Sequence, residues 1–321
     1  MCSAFDYGYF GLAYNVDEFE TQLRNYIGAK HIVATNTGTS ALHIAVDALG
    51  LQSGDEVIVP SLTFVATFQA ITSAGATPVS CDVDPDTLCM DPKDVEKRIT
   101  SKTKVLMPVH YGGYPCDMDY LMGLKEKHNL RIIEDAAHAF GSTYKGARIG
   151  SFGDITCFSF GSQKNITCGD GGAILSDNED FDNLCRQKRL LGMERKSHTS
   201  FSWKERAWMY DVPVQGYRYH MSNINAGIGL AQLKKVEPFL ARRREICGKY
   251  DSVLENFSGV RGSEKESGST AKMIVDQRRG EILKADILIS SSVRSLVEEY
   301  VVRCAPMDAR AQRYPVPKSL V

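Results

Sequence analysis

An α/β fold is what this sequence predicts: a mostly parallel sheet flanked by helices in a large domain, followed by a smaller C-terminal α+β domain. Three observations carry the prediction. Short β-rich runs alternate with amphipathic helical ones from residue 31 to about 190, the rhythm of parallel strands joined by crossover helices. The chain of 321 residues is longer than one typical domain. A stretch rich in Gly, Ser and charge at 258–270 has the composition of a linker. The large domain is expected over residues 1–230 and the small one over 231–321.

In chain order, strands are expected at 31–35, 56–60, 77–83, 104–110 and 131–135, each a short apolar or β-branched run. Between them, 39–49, 64–74, 92–99 and 118–128 carry the apolar spacing of amphipathic helices. In open sheets of this kind a ligand lies beyond the carboxyl ends of the strands. That places Thr37-Gly38-Thr39, Thr63-Phe64, Asp135 and His138 first for inspection. After Asp135 the rhythm changes, and 155–160 and 173–176 read as two further strands that hold a loop carrying Lys164 at both ends. Residues 223–256 read as one or two long helices, with Ile224, Ile228, Leu230, Leu233 and Val236 among the apolar positions. A last helix is expected at 291–304, where Val293, Leu296, Val297, Tyr300, Val301 and Cys304 share one face and Ser290 or Ser291 can cap it.

Composition narrows the function. Hydrophobic residues make up 43% and charged residues 24%, ordinary for a globular protein with a large core. The net charge of −1 spreads over 38 basic and 39 acidic side chains with no long run of either sign, which speaks against nucleic acid or a membrane surface and for a small-molecule ligand. The nine cysteines are odd in number and form no CxxC motif, so they read as reduced thiols of a cytoplasmic protein. No apolar stretch approaches the roughly 20 residues that cross a bilayer, and the start lacks a basic region followed by an apolar one.

The chemistry is concentrated around Lys164, in Phe158-Ser159-Phe160-Gly161-Ser162-Gln163-Lys164, with Glu134-Asp135-Ala136-Ala137-His138 upstream and Gly169-Asp170-Gly171-Gly172 downstream. A lysine on a short loop between apolar strands, with an acidic residue ending an earlier strand, is what pyridoxal 5'-phosphate (PLP) chemistry needs: an amine for a Schiff base and a carboxylate for the pyridine nitrogen. Thr37-Gly38-Thr39 opens a helix, where free N–H groups and the helix dipole can receive a phosphate. An ordinary helix cap has the same signature.

These blocks resemble the DegT/DnrJ/EryC1/StrS sugar aminotransferases, a branch of the PLP-dependent fold type I enzymes. The resemblance runs from about Phe19 to Glu237 and includes Asn36-Thr37-Gly38-Thr39-Ser40, Gly54-Asp55-Glu56-Val57, Thr63-Phe64-Val65-Ala66-Thr67, the Asp135 and Lys164 blocks, and Gly216-Tyr217-Arg218-Tyr219-His220-Met221-Ser222. It implies that Lys164 is the Schiff-base lysine and proton carrier, and that Asp135 pairs with the pyridinium nitrogen. It further implies that His138 contacts the O3′ side of the cofactor, that Phe64 stacks on its ring, and that Gly38, Thr39 and Ser159 hold its phosphate. Arg218 would reach the phosphate of a neighbouring subunit, so a homodimer is expected; many family members have Asn there. The implied activity moves the amine of an amino acid, by family habit L-glutamate, to a keto group of a nucleotide-linked keto-deoxy sugar. Members with histidine in place of the lysine dehydrate sugars instead, so Lys164 points to amine transfer.

Both ends depart from the family. By the usual size of such two-domain enzymes, roughly twenty to thirty more residues are expected before the segment at Val16-Asp17-Glu18. After about Asn256 the resemblance stops, and the apolar strands expected of a small domain are not legible in residues 259–321. A divergent small domain and an aberrant C-terminal part both fit that reading. The second would make the chain a PLP-binding homologue that is non-catalytic or regulatory.

Overall fold

Strands at the centre of the molecule are apolar without alternation because helices cover both of their faces, the condition under which parallel strands form. The computed structural model describes residues 8–194, 210–254, 260–262, 273–276 and 281–284. Its elements in order are α1 (Tyr14–Ile27), β1 (His31–Thr35), α2 (Gly38–Ala48), β2 (Glu56–Pro60), α3 (Val65–Ser73), β3 (Thr77–Cys81), α4 (Pro92–Arg98), β4 (Thr103–Leu106), α5 (Met118–His128) and β5 (Arg131–Asp135). A two-residue hairpin, β6 (Thr143–Tyr144) and β7 (Ala147–Arg148), precedes β8 (Ile155–Ser159), β9 (Gly172–Ser176), α6 (Glu179–Lys188), α7 (Asn223–Leu233) and α8 (Val236–Leu254).

Seven strands form one sheet in the order β1-β9-β8-β5-β4-β2-β3. The pairs β3–β2, β2–β4, β4–β5 and β5–β8 are parallel, and β9 is antiparallel to both of its neighbours, β8 and β1. Only β9 therefore runs against the rest, and the turn from β8 back into β9 is the segment that carries Lys164. The expected mostly parallel α/β sheet is observed.

The strands divide their side chains between two cores. Ile32, Ile58, Leu106, Ile132 and Phe158 face α1, α5 and α8, while Val33, Val57, Val105, Ile133 and Ile155 face α2, α3 and α6. In the first core Phe140 meets Phe158 and Phe160 edge-on at 5.3 Å, and Phe160 meets Phe19 at 5.5 Å, a geometry that suits the ring quadrupoles. Leu233, Val236 and Leu240 bury themselves in this core, so α7 and the start of α8 are fastened to the sheet.

Two helices have no counterpart in the expected elements. On α1, polar Asn15 and Glu20 are buried with the apolar Val16, Phe19 and Leu23. Distant partners satisfy them: Asn15 Nδ2 donates to Asn223 O at 3.1 Å and its backbone N–H to Asn223 Oδ1 at 2.8 Å, and Glu20 receives Arg189 Nη1 at 2.5 Å, Arg186 Nη1 at 2.8 Å and the Ala34 N–H at 2.8 Å. Burial alone would raise the Glu20 carboxyl, but the two guanidiniums hold it down at about 2. On α6 the buried face is only Phe181, Asp182 and Cys185.

Some boundaries also move. The strand expected at 104–110 leaves the ladder after Leu106, and the one at 77–83 ends at Cys81. The stretch 258–270 contains a strand rather than linker alone. Val260–Gly262 (β10), Met273–Asp276 (β11) and Glu281–Lys284 (β12) pair as a three-stranded antiparallel sheet. The absence of strands after residue 259 is thereby corrected; at three and four residues these strands are too short for a periodic pattern to stand out in sequence. The helix expected at 291–304 lies outside the described residues.

Candidate active site

Seven of the eight expected site residues come together in one cavity of about 210 Å³ at the carboxyl ends of the strands. Gly38, Thr39, Phe64, Asp135, His138, Ser159 and Lys164 line it, together with Thr63, Tyr111 and Asp170. Arg218 is not among the lining residues; it pairs by backbone with Leu190 in an isolated bridge.

One end of the cavity is built by a capped helix start. Thr37 Oγ1 accepts the Ser40 N–H at 3.0 Å and the Ser40 hydroxyl accepts the Thr37 N–H at 3.1 Å, a reciprocal capping box. It fixes the direction of α2, whose first residues, Gly38 and Thr39, line the cavity. Gly38 is required by space rather than by backbone angle. A Cβ there would lie 2.6 Å from Ser159 Cβ and 2.9 Å from Ser159 Oγ, so any side chain would occupy the gap between the helix start and the Ser159 hydroxyl.

The lysine loop is pinned along its length. Phe160 N–H donates to Gly171 O at 2.8 Å and Cys168 N–H to Phe160 O at 2.9 Å. Within it, Lys164 N–H closes a turn onto Gly161 O at 3.1 Å, and Asn165 Nδ2 donates to Phe140 O at 2.8 Å. Asn225, in the first turn of α7, donates to both Cys168 O and Asp170 O at 2.9 Å. With Ile166 and Cys168 buried beneath it, the loop presents Lys164 from a rigid base.

Asp135 ends β5 with its carboxylate buried. Oδ2 accepts the Thr67 hydroxyl at 2.8 Å and Oδ1 accepts the Ala137 N–H at 3.1 Å. Burial pushes the carboxyl above the usual range, while these two bonds and the charge of Lys164 pull it back. A cation bound in the cavity would complete that opposition.

His138 accepts the Gly112 N–H at Nδ1, 3.3 Å away, and stands edge-on to the Tyr111 ring at 6.0 Å. Phe64 is the cap of α3 and is 71% exposed, so its ring has open space on the cavity side. On the other face of β5, Glu134 Oε2 accepts His110 Nε2–H at 2.9 Å and Glu134 Oε1 accepts Thr156 Oγ1–H at 2.9 Å. His110 takes the Cys116 N–H on its other nitrogen, which fixes the tautomer.

Sequence reasoning missed Thr67, Tyr111 and Asp170 as site residues. Thr67 had one usable signal, a hydroxyl four residues after Thr63 at the start of a helix that follows a strand. Among the described residues no group of His, Cys, Asp and Glu is arranged to hold a metal ion, and no helix is long and apolar enough to cross a membrane.

The model of the DegT/DnrJ/EryC1/StrS aminotransferase family matches residues 4–302. The chain belongs to that family. The match continues well past residue 256, where the resemblance read from sequence had stopped, and so overturns that limit. GDP-perosamine synthase of Caulobacter vibrioides is 45% identical over 237 residues, which are 74% of this chain and 61% of that protein. The structure of S. venezuelae DesV in complex with a ketimine intermediate superposes with a TM-score of 0.81 at 30% identity, covering 99% of this chain and 83% of that one. The PMP form of Spr1654 from Streptococcus pneumoniae, described as a sugar aminotransferase, gives 0.78 at 31% identity over 86% of this chain and 73% of that one. This chain therefore spans between 61% and 83% of the length of these relatives. Its architecture is the fold type I arrangement of sugar aminotransferases.

Proposed function

We propose that the chain is a PLP-dependent aminotransferase that moves the amine of an amino acid, L-glutamate by preference, to a keto group of a nucleotide-linked keto-deoxy sugar. The observation that carries this reading is the convergence of Lys164, Asp135, Ser159 and the start of α2 on one cavity. The residues fit the cofactor. A gap that a Cβ at position 38 would fill lies between helix N–H groups and a serine hydroxyl, and a buried carboxylate is positioned for a protonated nitrogen.

The N–H groups of Gly38 and Thr39 and the Ser159 hydroxyl would hold the phosphate, which the dipole of α2 favours. Asp135 would keep the ring nitrogen protonated, Phe64 would stack on the ring, and His138 would contact its O3′ side. When bound, PLP supplies a carbonyl that takes up an amino acid's amine and an electron-poor ring that stabilises charge at the α-carbon. Lys164 Nζ would anchor the group and would serve as the base that takes the α-proton of the donor.

A homodimer in which Arg218 serves the neighbour's phosphate, a smaller domain over residues 231–321 and a cytoplasmic location belong to the same reading. The acceptor class follows the GDP-perosamine synthase relative. The test is the absorbance of the purified protein with added PLP, before and after excess L-glutamate. A new visible band that glutamate then converts to the amine form of the cofactor supports transfer. A band that glutamate leaves unchanged indicates a binding protein without turnover.

A further inference from the structure

Asp135 is held from the α3 side by two hydroxyls in series. Thr67 Oγ1 lies 2.8 Å from Asp135 Oδ2, and Thr63 Oγ1 lies 2.7 Å from Thr67 Oγ1. Thr67 has no exposed surface, whereas Thr63 lines the cavity. The two stand four residues apart across the start of α3, whose first turn closes through Thr67 N–H to Phe64 O at 3.0 Å.

The direction of these bonds follows from proton counting. An ionised carboxylate can only accept, so Thr67 gives its one hydroxyl proton to Asp135 and Thr63 gives its own to Thr67. With a proton on Oδ2 both bonds reverse, Asp135 donating to Thr67 and Thr67 to Thr63. Both arrangements keep Oδ2 and the Thr67 oxygen partnered, but a hydroxyl donating to an ionised carboxylate makes the stronger, charge-assisted bond, so the chain favours the ionised state. The other titratable groups facing Asp135 are Lys164, His110 and Cys157. Of these only Lys164 lines the cavity.

We propose that Thr67 and Thr63 are positioning residues for the reaction: a two-hydroxyl chain that fixes the Asp135 carboxylate and holds it in the ionised state that a protonated ring nitrogen needs. The inference rests on the cofactor reading above. Thr67 acts through Asp135, and its effect therefore depends on a nitrogen being present opposite that carboxylate. Thr67→Val keeps the side-chain shape and removes the donor, and Thr67→Ser keeps the donor.

The test is titration of each protein with PLP and, separately, with its 1-deaza analogue, in which the ring nitrogen is replaced by a C–H carbon, followed by absorbance. Thr67→Val is expected to bind PLP about tenfold more weakly than wild type, the scale of a lost hydrogen bond to a charged group, while Thr67→Ser stays within about twofold. For the analogue the loss in Thr67→Val should shrink to less than about twofold. Thr63→Val should show the same pattern at smaller amplitude, and it replaces Thr67→Val as the test variant if near-ultraviolet circular dichroism shows that the latter is unfolded. Equal losses for PLP and the analogue would mean that the hydroxyls serve only the fold and would overturn the proposal. A wild-type protein that takes up neither compound would overturn the cofactor reading itself, and this inference with it.

Discussion

Gly38→Ala tests the phosphate cradle by steric means alone. The added Cβ would sit 2.6 Å from Ser159 Cβ and 3.2 Å from Ser159 Cα, atoms fixed to the backbone of β8 and unable to swing aside. Ordinary contact needs about 3.4 Å or more, so α2 and β8 must separate by close to 1 Å where both are packed against the second core. Overpacking of this kind costs about 1–3 kcal/mol, offset in part by the better helix propensity of Ala, worth up to about 1 kcal/mol. We expect a fall in thermal midpoint of about 1–4 °C and, because the methyl group stands between the helix N–H groups and the Ser159 hydroxyl, a loss of PLP affinity of tenfold or more, about 1.4 kcal/mol. The assay is differential scanning calorimetry beside a PLP titration. Adding Ser159→Gly removes the clashing Cβ and should restore the midpoint but not the affinity, since the hydroxyl has gone with it. A Gly38→Ala protein that binds PLP as wild type does would refute the assignment of the phosphate to this helix start.

Three further outcomes follow from the same structure. Lys164→Ala should abolish the absorbance band that the protein forms with PLP, leaving only that of free PLP, while the circular dichroism spectrum stays unchanged, because the side chain is only partly buried on a loop fixed by other residues. Glu20→Gln should destabilise the protein by about 3–5 kcal/mol at pH 7 in denaturant titrations, since it leaves Arg189 and Arg186 without their shared anion. Glu20 is depressed to about 2 in the folded state, so its contribution is complete above the unfolded carboxylate range and is lost as pH falls through about 4 toward 2; in the Gln variant that part of the acid dependence should vanish. Asp17→Asn should do the reverse. Burial and the nearby Glu20 raise the Asp17 carboxyl to about 6, so ionising it costs stability as pH rises from about 4 through 6. Because the group is half exposed, the gain at pH 7 is discounted to about 1 kcal/mol, with none at pH 4.

The parts of the fold legible in sequence are those whose residues satisfy themselves locally. The strand at Arg131–Asp135 and the helix at Met118–His128 are found to the residue, the first because Ile132 and Ile133 put an apolar side chain into each of the two cores and the second because Asp117 caps its start and Asn129, in the left-handed region, ends it. The site was legible for the same reason: Gly38, Asp135, Ser159 and Lys164 sit at strand ends and helix starts, where the chain itself fixes position. What stayed hidden depends on partners far away in sequence. Asn15 and Glu20 made α1 look polar, and only Asn223, Arg186 and Arg189 explain their burial. Thr67 lies inside an otherwise ordinary helix, and its meaning comes from Asp135, which is 68 positions away.

The account stands or falls on where the cofactor attaches. Incubation with PLP, reduction with borohydride, proteolysis and mass mapping would show it directly. The account predicts a single stable adduct on the peptide carrying Lys164. An adduct on another lysine, or none, would contradict it.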